Sequence, residues 1–321
     1  MSHMPRAVSI ALLIGAVILA FLPFFADRFV LQLMTRVLTM TIFALSLGFL
    51  VSGGGLVSLG HAAYFGVAAY VLALASPAME PANLLWALPL VLAVTAATAA
   101  IIGFLVVRTK GVYFIMVTLA FGQMLFHLFH DTKIAGGSDG MFLDARPVLD
   151  IFGMQLLDLQ DRPTLYWTAL GALVATFLLI WQIMRSPFGK VIMGLRHNEL
   201  RMRALGYEPV RYKLACFVIG GTLAGLAGML YAVQFAFVTP DLLKWHSSGS
   251  VLMMVILGGM NTLYGPILGA FAYVLLEQWL VSVTEHWPLI MGAFFIAVVL
   301  FLREGLAGLV EALIARLERK R

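Results

Sequence analysis

Apolar residues form long runs that recur from one end of the chain to the other, and short polar connections separate them. Each run is long enough to cross a hydrocarbon core of about 30 Å as a helix. The pattern therefore predicts an all-α integral membrane protein, a single domain over residues 1–321 with about ten transmembrane helices. The predicted spans are residues 7–26, 30–50, 61–76, 84–107, 112–130, 164–184, 213–236, 248–264, 266–283 and 287–302.

Composition supports lipid as the solvent. The chain is 62% hydrophobic and 12% charged, with a mean hydropathy of +0.97, whereas soluble domains are about half apolar and a quarter charged. The net charge of +5 does not indicate nucleic-acid binding, because the basic residues lie in short connections and not on one continuous face. Residues 7–26 resemble a signal peptide, but Pro23-Phe24-Phe25-Ala26 offers no small-x-small cleavage site, so a span is expected.

Charge in the connections predicts the orientation. Residues 185–213 carry seven Lys and Arg against two Glu, and the tail 303–321 ends in Arg319-Lys320-Arg321. Both segments are expected in the cytoplasm, since Lys and Arg collect in cytoplasmic connections. The acidic connection 131–163 suits the outer face. Ten spans in a bacterial cytoplasmic (inner) membrane, with both termini inside, satisfy these assignments and also place the remaining connection charges: Arg108 and Lys110 inside, Glu80 and Glu285 outside.

Glycine clusters interrupt two of the apolar stretches. Ser52-Gly53-Gly54-Gly55 and Gly60 form the first interruption, and Gly258-Gly259 followed by Gly265-Pro266 forms the second. A broken helix in lipid is tolerated where it is buried in protein or lines a cavity, because the freed backbone groups have no water partner. These breaks are predicted to belong to a translocation pathway, where their N–H and C=O groups suit a zwitterionic solute.

Two other features of the spans are predicted to act in packing. Arg36 would cost about 2.5–3.5 kcal/mol near the centre of a lipid-facing span, so it should face protein, water or the interface and is a packing or assembly residue. Small residues at helical spacing allow close approach of neighbouring helices; they are Gly220, Gly221, Ala224, Gly225 and Gly228.

The connection 186–208 predicts a short cytoplasmic helix. Pro187 and Gly189 should end the preceding span, helix formers run from about Lys190 to Leu205, and Gly206 follows as a C-cap. Charged and apolar residues alternate along it, so one side can enter a groove on another protein. The same pattern also suits a basic anchor on the phospholipid surface, and the residues themselves leave both readings open.

This connection resembles the loop by which permease subunits of binding-protein-dependent ABC importers dock on their ATPases, a helix followed by Ala204-Leu205-Gly206. From about residue 40 to 300 the chain is similar to the branched-chain amino acid permease family, specifically the second of its two permease types. Asn261 departs from the family pattern, which commonly has glycine there. The resembling stretches are Gly55-Leu-Val-Ser-Leu-Gly-His-Ala-Ala-Tyr-Phe-Gly66, Lys110-Gly-Val-Tyr-Phe-Ile-Met-Val-Thr-Leu-Ala-Phe121, Gly136-Gly-Ser-Asp-Gly140, Arg211-Tyr-Lys-Leu214, Gly221-Thr-Leu-Ala-Gly-Leu-Ala-Gly228 and Val255-Ile-Leu-Gly-Gly-Met260.

The resemblance implies a permease subunit that is not itself an enzyme. It implies a second permease (as a heterodimer), two cytoplasmic ATPases that bind ATP and Mg, and an extracytoplasmic solute-binding protein. No cofactor is expected on this chain, where Gly189-Lys190 is followed by Val191 and not by the Ser or Thr of a phosphate-binding loop. Branched-chain amino acids are the expected solutes, although related permeases are also associated with urea, short amides and aromatic acids.

Three groups of candidate site residues follow. The ATPase-coupling group is Arg196, Asn198, Glu199, Arg203, Ala204, Leu205 and Gly206. The translocation-pathway group is Gly54, Gly55, Ser58, Gly60, His61, Tyr64, Tyr113, Thr118, Gly258 and Gly259. An outer gate turn is predicted at Gly136, Gly137, Ser138, Asp139 and Gly140.

Other function classes fit the residues less well. Gly136 to Gly140 matches the Gly-x-Ser-x-Gly pattern of serine hydrolases, but that motif needs a strand-to-helix turn. His127, His130 and Asp131 share a helix face, yet the sequence offers no further local ligands for a metal site, and the single Cys216 adds no cluster. A secondary transporter or channel that works alone often needs carboxylates within its spans for ion coupling; Glu277 is the nearest case and lies toward the end of its run.

Overall fold

Helices dominate the computed structural model, which describes residues 6–77, 80–151, 154–302 and 304–318. The described α-helices are α1 (Arg6–Phe21), α2 (Arg28–Phe49), α3 (Ala62–Ala75), α4 (Leu84–Val106), α5 (Val112–Asp131), α6 (Arg162–Arg185), α7 (Pro187–His197), α8 (Glu199–Ala204), α9 (Pro209–Phe235), α10 (Trp245–Gly258), α11 (Gly265–Val283), α12 (Trp287–Phe301) and α13 (Gly305–Glu318). The described strands are β1 (Met141–Phe142), β2 (Val148–Ile151), β3 (Met154–Asp158) and β4 (Phe237–Val238). Arg319-Lys320-Arg321 of the predicted tail lies outside the described residues.

The prediction of about ten spans is not confirmed. Each predicted segment contains a helix, but by length and composition six described helices can cross a membrane, or seven if the bent pair α12 and α13 counts as one. The apolar helices α1, α3 and α10 are shorter. At 1.5 Å per residue, the 14 residues of α3 extend about 21 Å, less than a hydrocarbon core. The predicted span 248–264 fails for a related reason, because its helix ends at Gly258.

The centre of the fold is α2 against α9, both buried along most of their length. The small residues of α9 bring its neighbours close, as predicted from their spacing. Ideal Cβ atoms built on three of the α9 glycines would crowd side chains: Gly220 against Leu50 of the adjoining turn, Gly221 against Ala99 of α4 and Gly225 against Thr95 of α4, at 2.6 to 2.7 Å. Gly228 packs directly on the backbone carbonyl of Phe65 in α3.

Arg36 faces protein, as expected for a cation within a span. Its Nη2 lies 2.7 Å from Oε2 of Glu277, and the two side chains are 26% and 16% exposed. The pair joins α2 to α11. Glu277 therefore has a cationic partner, which the sequence pattern did not identify.

Contacts between connections show which of them share a side of the protein. Lys110 binds Glu199, so the α4–α5 connection lies beside residues 185–213. We name this side the coupling side. The Oη of Tyr264 donates a hydrogen bond of 2.8 Å to Glu311 of α13, and a small apolar cluster joins Tyr264 to Val8 and Ala307. The described beginning of α1 and the described part of α13 thus pack on the same connection, that between α10 and α11.

The opposite side carries the acidic connection 131–163. β1 pairs antiparallel with β4, β2 pairs with β3, and the N–H of Val148 binds the carbonyl of Ala82 at 2.9 Å. The apolar periodicity did not predict these strands, which lie outside the spans. The grouping of connections agrees with the charge-based topology, while the assignment of the coupling side to the cytoplasm stays a prediction.

Candidate functional site

The first helix break follows α2 and begins in a widened turn. A π-helical turn over Leu50–Gly54 continues α2, and Gly55 then adopts a φ of 66°. This left-handed conformation suits glycine, which lacks a Cβ atom. The chain then runs without regular structure to Gly60, and α3 begins at Ala62. The predicted interruption of this apolar stretch is therefore confirmed.

A buried polar group lies beside this break. His61 is fully buried, its Nε2 lies 2.8 Å from the Ser46 hydroxyl, and its ring stacks on Phe43 at 5.6 Å between centroids. The His61 Nδ1 and the Ser58 hydroxyl have no hydrogen-bond partner among the described residues. Buried polar atoms are normally hydrogen-bonded, so the first break holds unused hydrogen-bonding capacity in the interior.

α5 and α10 hold the break in place. Gly60 packs directly on the Thr118 carbonyl, and the Thr118 hydroxyl accepts a hydrogen bond of 3.3 Å from the Leu59 N–H. The Ala62 N–H, at the start of α3, donates to the Ser248 hydroxyl of α10 at 2.9 Å. The first turn of a helix leaves N–H groups without intrahelical partners, and Ser248 satisfies one of them from another span.

The aromatic pathway candidates separate in the structure. Tyr64 is buried next to His61, with its ring edge-on to Phe217 at 5.7 Å, and an ideal Cβ built on Gly221 of α9 would lie 3.4 Å from that ring. Tyr113 instead lies near the start of α5 and is 76% exposed, outside the buried group. Gly54 packs near Sγ of Cys216, so Cys216 faces a helix and not lipid.

The second helix break lies between α10 and α11. Gly259 has a φ of 114°, and Gly258 packs directly on the Gly265 carbonyl across the break. The Glu304 carbonyl, just before α13, also approaches Gly259. Three backbone segments therefore meet here in a space that a side chain at either glycine would fill, and the predicted interruption is confirmed.

The coupling segment, residues 185–213, contains two helices and not the single predicted helix. α6 ends at Arg185, so Pro187 and Gly189 begin α7. Asn198 is extended, with φ −154° and ψ 97°, and its Oδ1 accepts a 3.0 Å hydrogen bond from the Arg201 N–H. Asn is a favoured N-cap because it satisfies such a free N–H. Asn198 therefore ends α7 and starts α8, which helix propensity alone did not reveal.

α8 ends as the sequence predicted. Gly206 has a φ of 88°, its N–H binds the Arg203 carbonyl at 2.9 Å, and the Tyr207 N–H binds the Met202 carbonyl at 3.1 Å. This pair of bonds is the Schellman arrangement that a left-handed glycine permits. It makes a compact protrusion, and Leu200 and Leu205 are 78% and 66% exposed on it. Leu195 of α7 is instead buried, so apolar residues of the segment divide between the core and the surface.

A cleft borders this protrusion. It has a volume of about 380 Å³. Its lining is mostly aromatic and charged: Phe188, Gly206, Tyr207, Glu208, Arg211 and Tyr212. The rings of Phe188 and Tyr212 stack at 5.8 Å. The protrusion therefore exposes two leucines beside a cleft whose lining mixes aromatic and charged side chains.

Glu199 points inward from α8 to a cluster of cations. Its carboxylate binds Lys110 at 2.8 Å, Arg203 at 2.8 Å and Lys213 at 3.0 Å. Burial raises the pKa of this carboxyl, but hydrogen bonds from Lys110 and Lys213 and their positive charges outweigh burial and lower it to about 2. Lys110 and Lys213, which were not among the predicted coupling residues, thus tie α8 to the α4–α5 connection and to α9.

Arg196, in the last turn of α7, reaches both helix breaks. Its Nη1 donates to the Ser52 carbonyl at 2.6 Å, and its Nη2 donates to Oδ1 of Asn261 at 2.9 Å. Sequence reasoning selected Arg196 as an ATPase contact and did not foresee either partner. The only feature of the sequence that could have pointed to these contacts was Asn261, a polar residue at a position where the branched-chain amino acid permease family commonly has glycine.

The predicted outer gate turn lies on the opposite side. Gly136, Gly137 and Gly140 have φ values of 78°, 60° and 76°. Gly140 packs directly on the Val238 carbonyl of β4, so the turn is pressed against the connection that follows α9. The turn is tight and well packed, while its gating role stays a prediction.

The hydrolase interpretation does not fit the turn. Ser138 lies in a 3₁₀ turn that precedes a strand, and its hydroxyl donates to Asp139 at 3.2 Å. His127 and His130 instead contact Asp131, at 3.2 and 2.8 Å. A nucleophilic serine needs a base aimed at its hydroxyl. Within the described residues no group of three or more His, Cys, Asp and Glu side chains is placed to hold a metal ion.

Replacing Glu199 is expected to loosen α8. In Glu199→Gln the three cations lose their shared carboxylate, and a hydrogen bond to a charged group contributes about 1.5–3 kcal/mol. We expect amide hydrogen exchange in α8 to quicken by about tenfold or more. Because the folded-state pKa is below the ordinary value of 4.5, this stabilisation is fully present above about pH 4.5 and is lost as the pH falls toward 2.

Glu208→Gln is the matched control for Glu199→Gln. Glu208 pairs with the neighbouring Arg211, and both side chains are largely exposed. Exposed pairs contribute about 0–1 kcal/mol, so exchange in α8 should stay unchanged. Equal exchange rates in both variants would show that the cation cluster does not hold α8.

Comparison with known proteins gives one consistent result. Residues 29–302 match the family described as branched-chain amino acid transport system, permease component. The high-affinity branched-chain amino acid transport system permease protein LivM of Salmonella typhimurium (strain LT2) is 31% identical over 304 residues, which cover 88% of this chain and 71% of the relative. LivM of Escherichia coli (strain K12) is 30% identical over the same extent.

A second group of relatives matches a shorter stretch. The autoinducer 2 import system permease protein LsrC of Klebsiella pneumoniae is 34% identical over 109 residues, 32% of each chain. No solved structure has significant similarity to this chain. Similarity in sequence is therefore extensive to one kind of permease and partial to another.

Proposed function

The chain belongs to the family of branched-chain amino acid transport permeases, and we propose that it is one permease subunit of an ATP-driven importer in the cytoplasmic membrane. The observation that carries the proposal is the coupling segment. It presents Leu200 and Leu205 at the surface, and on its inner side Arg196 bonds to both helix breaks. A docking surface on one side of a segment and the interrupted spans on the other suit the transfer of movement.

The proposed assembly contains two permeases, two cytoplasmic ATPases and an extracytoplasmic solute-binding protein. ATP and Mg would be held by the ATPases, because the sequence of this chain has no phosphate-binding loop of the Gly-x-x-x-x-Gly-Lys-Ser/Thr type. The exposed side chains Leu200 and Leu205, with the adjoining aromatic cleft, would enter the ATPase surface. Some of the predicted coupling residues would then contact the ATPase, and the others would support the segment from within. The group is Arg196, Asn198, Glu199, Arg203, Ala204, Leu205 and Gly206.

The proposed solutes are branched-chain amino acids. The support is the similarity to LivM over 88% of this chain, against 32% for LsrC. The first helix break also suits a zwitterion, since the free Ser58 hydroxyl and His61 Nδ1 are polar but carry no fixed charge. Weak polar contacts favour release, while the binding protein would supply selectivity.

Transport would follow from alternation of two arrangements. ATP binding brings the ATPases together, α7 and α8 move with them, and the spans around the two breaks expose the pathway to one side and then the other. The alternative of a transporter that works alone is less well supported. Such proteins often need a carboxylate free for ion coupling, and Glu277, within α11, is paired with Arg36.

The test of this proposal is co-purification with the ATPases. The chain is co-expressed with a second permease and the ATPases from its genomic neighbourhood and reconstituted in liposomes with the binding protein. We expect Leu200→Asp with Leu205→Asp to reduce ATPase recovery by tenfold or more, because buried apolar anchors of an interface contribute about 2 kcal/mol or more each. Uptake of leucine, isoleucine and valine should fall equally.

Met154→Asp with Leu156→Asp is the matched control for the docking variant. These two apolar residues of β3 are also exposed, at 68% and 57%, but lie on the opposite side. ATPase recovery should be unchanged. Unaltered recovery in the docking variant, or solute uptake by the chain without any ATPase, would refute the proposal; uptake of urea or amides alone would replace only the solute class.

A further inference from the structure

We propose that Arg196 is a positioning residue that transmits movement of the coupling segment to both helix breaks at once. This inference rests on the proposed function as an ATPase-coupled permease. It adds a route within the chain, from the docking surface through one guanidinium group to the two interrupted spans. It also gives a role to Asn261, which was not among the candidate site residues.

The first contact satisfies the end of α2. Ser52 lies in the π-helical turn Leu50–Gly54, and its carbonyl accepts a 2.6 Å hydrogen bond from Arg196. The last carbonyls of a helix lack intrahelical donors and carry partial negative charge. A cation from α7 therefore binds the helix end directly before the break at Gly55. An ideal Cβ built on Gly55 would lie 3.0 Å from Cγ of Arg196, so glycine here leaves room for the arginine stem.

The second contact lies in the connection after α10. Asn261 follows Gly259 by two residues, and its Oδ1 accepts a 2.9 Å hydrogen bond from the other terminal nitrogen of Arg196. The planar guanidinium presents several donors in a fixed arrangement. One side chain thus holds two breaks at a defined separation, which the single compact charge of a lysine does not achieve.

The surroundings of Arg196 make it suitable for transmission. α7 is held at its start because Gly189 packs directly on the backbone of α6 at Met184. Its other end is the Asn198 junction, directly before α8 with the exposed Leu200. A push on α8 therefore displaces the far end of α7, where Arg196 lies. Because the two breaks are bonded to the same group, they move together and not independently.

If Arg196 transmits movement in this way, replacing it should lower solute uptake while ATP hydrolysis continues. Measured in the complete reconstituted importer, Arg196→Lys keeps the positive charge but loses the two-branched contact. We expect ATPase recovery and ATP hydrolysis to stay within about twofold, and uptake per ATP to fall about tenfold, in the usual range for coupling between sites. The thermal midpoint of the complex serves as the measure of intact structure.

Variants of Asn261 test the inference with the fold left intact, since this side chain is exposed. Asn261→Ala removes one acceptor and should lower uptake per ATP several-fold. Asn261→Asp keeps an acceptor for the guanidinium, so its uptake per ATP should match that of the unmodified chain. Combining Asn261→Ala with Arg196→Lys should add little, because both changes break the same connection. Arg185→Lys, which alters an exposed arginine of the same segment that does not line the cleft, should change nothing.

The outcomes separate the inference from the function on which it rests. Loss of ATPase recovery in Arg196→Lys, or equal uptake per ATP in Arg196→Lys and the unmodified chain, would overturn transmission and leave the permease assignment standing. Fully additive effects of the Arg196 and Asn261 changes would also overturn it. Failure of the unmodified chain to bind any ATPase would overturn both.

Discussion

Gly228→Ala is expected to destabilise the protein strongly, although it adds a single methyl group. A Cβ atom at residue 228 would lie well inside van der Waals contact with the Phe65 carbonyl oxygen of α3. Because that oxygen belongs to the backbone, it can move only if α3 moves, and α3 packs extensively on α9. Overpacking typically costs about 1–3 kcal/mol and more where the neighbour is rigid. Thermal unfolding of the purified chain in detergent should show a lower midpoint and a lower folded yield.

Gly171→Ala is the control for this helix crossing. Gly171 lies inside α6, and an ideal Cβ there meets no atom within 4 Å. Alanine in place of glycine inside a helix is favourable by about 0.5–1 kcal/mol, so the midpoint should hold or rise. A Gly228→Ala protein as stable as Gly171→Ala would mean that α3 and α9 are not in close backbone contact.

Arg36→Ala is the second change for which a large loss of stability is expected. It leaves the Glu277 carboxylate within α11 without the cation 2.7 Å away. Removing one partner of a fully buried ion pair typically costs about 3–5 kcal/mol, which is an upper bound for this partly buried pair, whereas removing both can be neutral. The double change Arg36→Leu with Glu277→Leu should therefore recover most of the lost midpoint. Thermal unfolding of Arg36→Leu, Glu277→Leu and the double variant, compared with the unmodified protein, completes a double-mutant cycle for the pair.

The pair Arg211 and Glu208 provides a control at the same separation. Its atoms are also 2.7 Å apart, but its side chains are 81% and 57% exposed. Exposed ion pairs contribute about 0–1 kcal/mol, so Arg211→Ala should have little effect on the midpoint. If Arg36→Ala and Arg211→Ala lowered the thermal midpoint equally, burial within the spans would not be what makes the Arg36 pair stabilising.

The local features of this protein could be predicted from sequence. The glycine clusters around residues 55 and 259 indicated the two helix breaks, and Gly206 ends α8; all three glycines have the positive φ that Cβ atoms disfavour. The glycine spacing along α9 likewise indicated close helix contacts. These predictions succeeded because backbone conformation and small-residue spacing act over a few residues.

Predictions that depended on exact lengths and caps were less successful. An apolar run has the same appearance whether all of it is helical or not, so the predicted span 248–264 extended past the end of α10 at Gly258, although the interruption at Gly258-Gly259 was itself predicted. The helix formers from 190 to 205 concealed the break at Asn198, whose side chain caps α8. Competition between a side-chain cap and continued helix is decided by small free-energy differences, which propensity does not resolve.

By itself, the sequence determined that this is a helical membrane protein with interrupted spans, and its motifs indicated the permease family. Only the tertiary structure decided the partners of its charged residues. Arg36 binds a residue 241 positions away, and Arg196 binds Ser52 at 144 positions. The physical reason is that a charge in a low-dielectric interior requires a partner, but that partner is selected by helix packing in three dimensions. Sequence can therefore reveal the requirement, and only the packed fold shows what satisfies it.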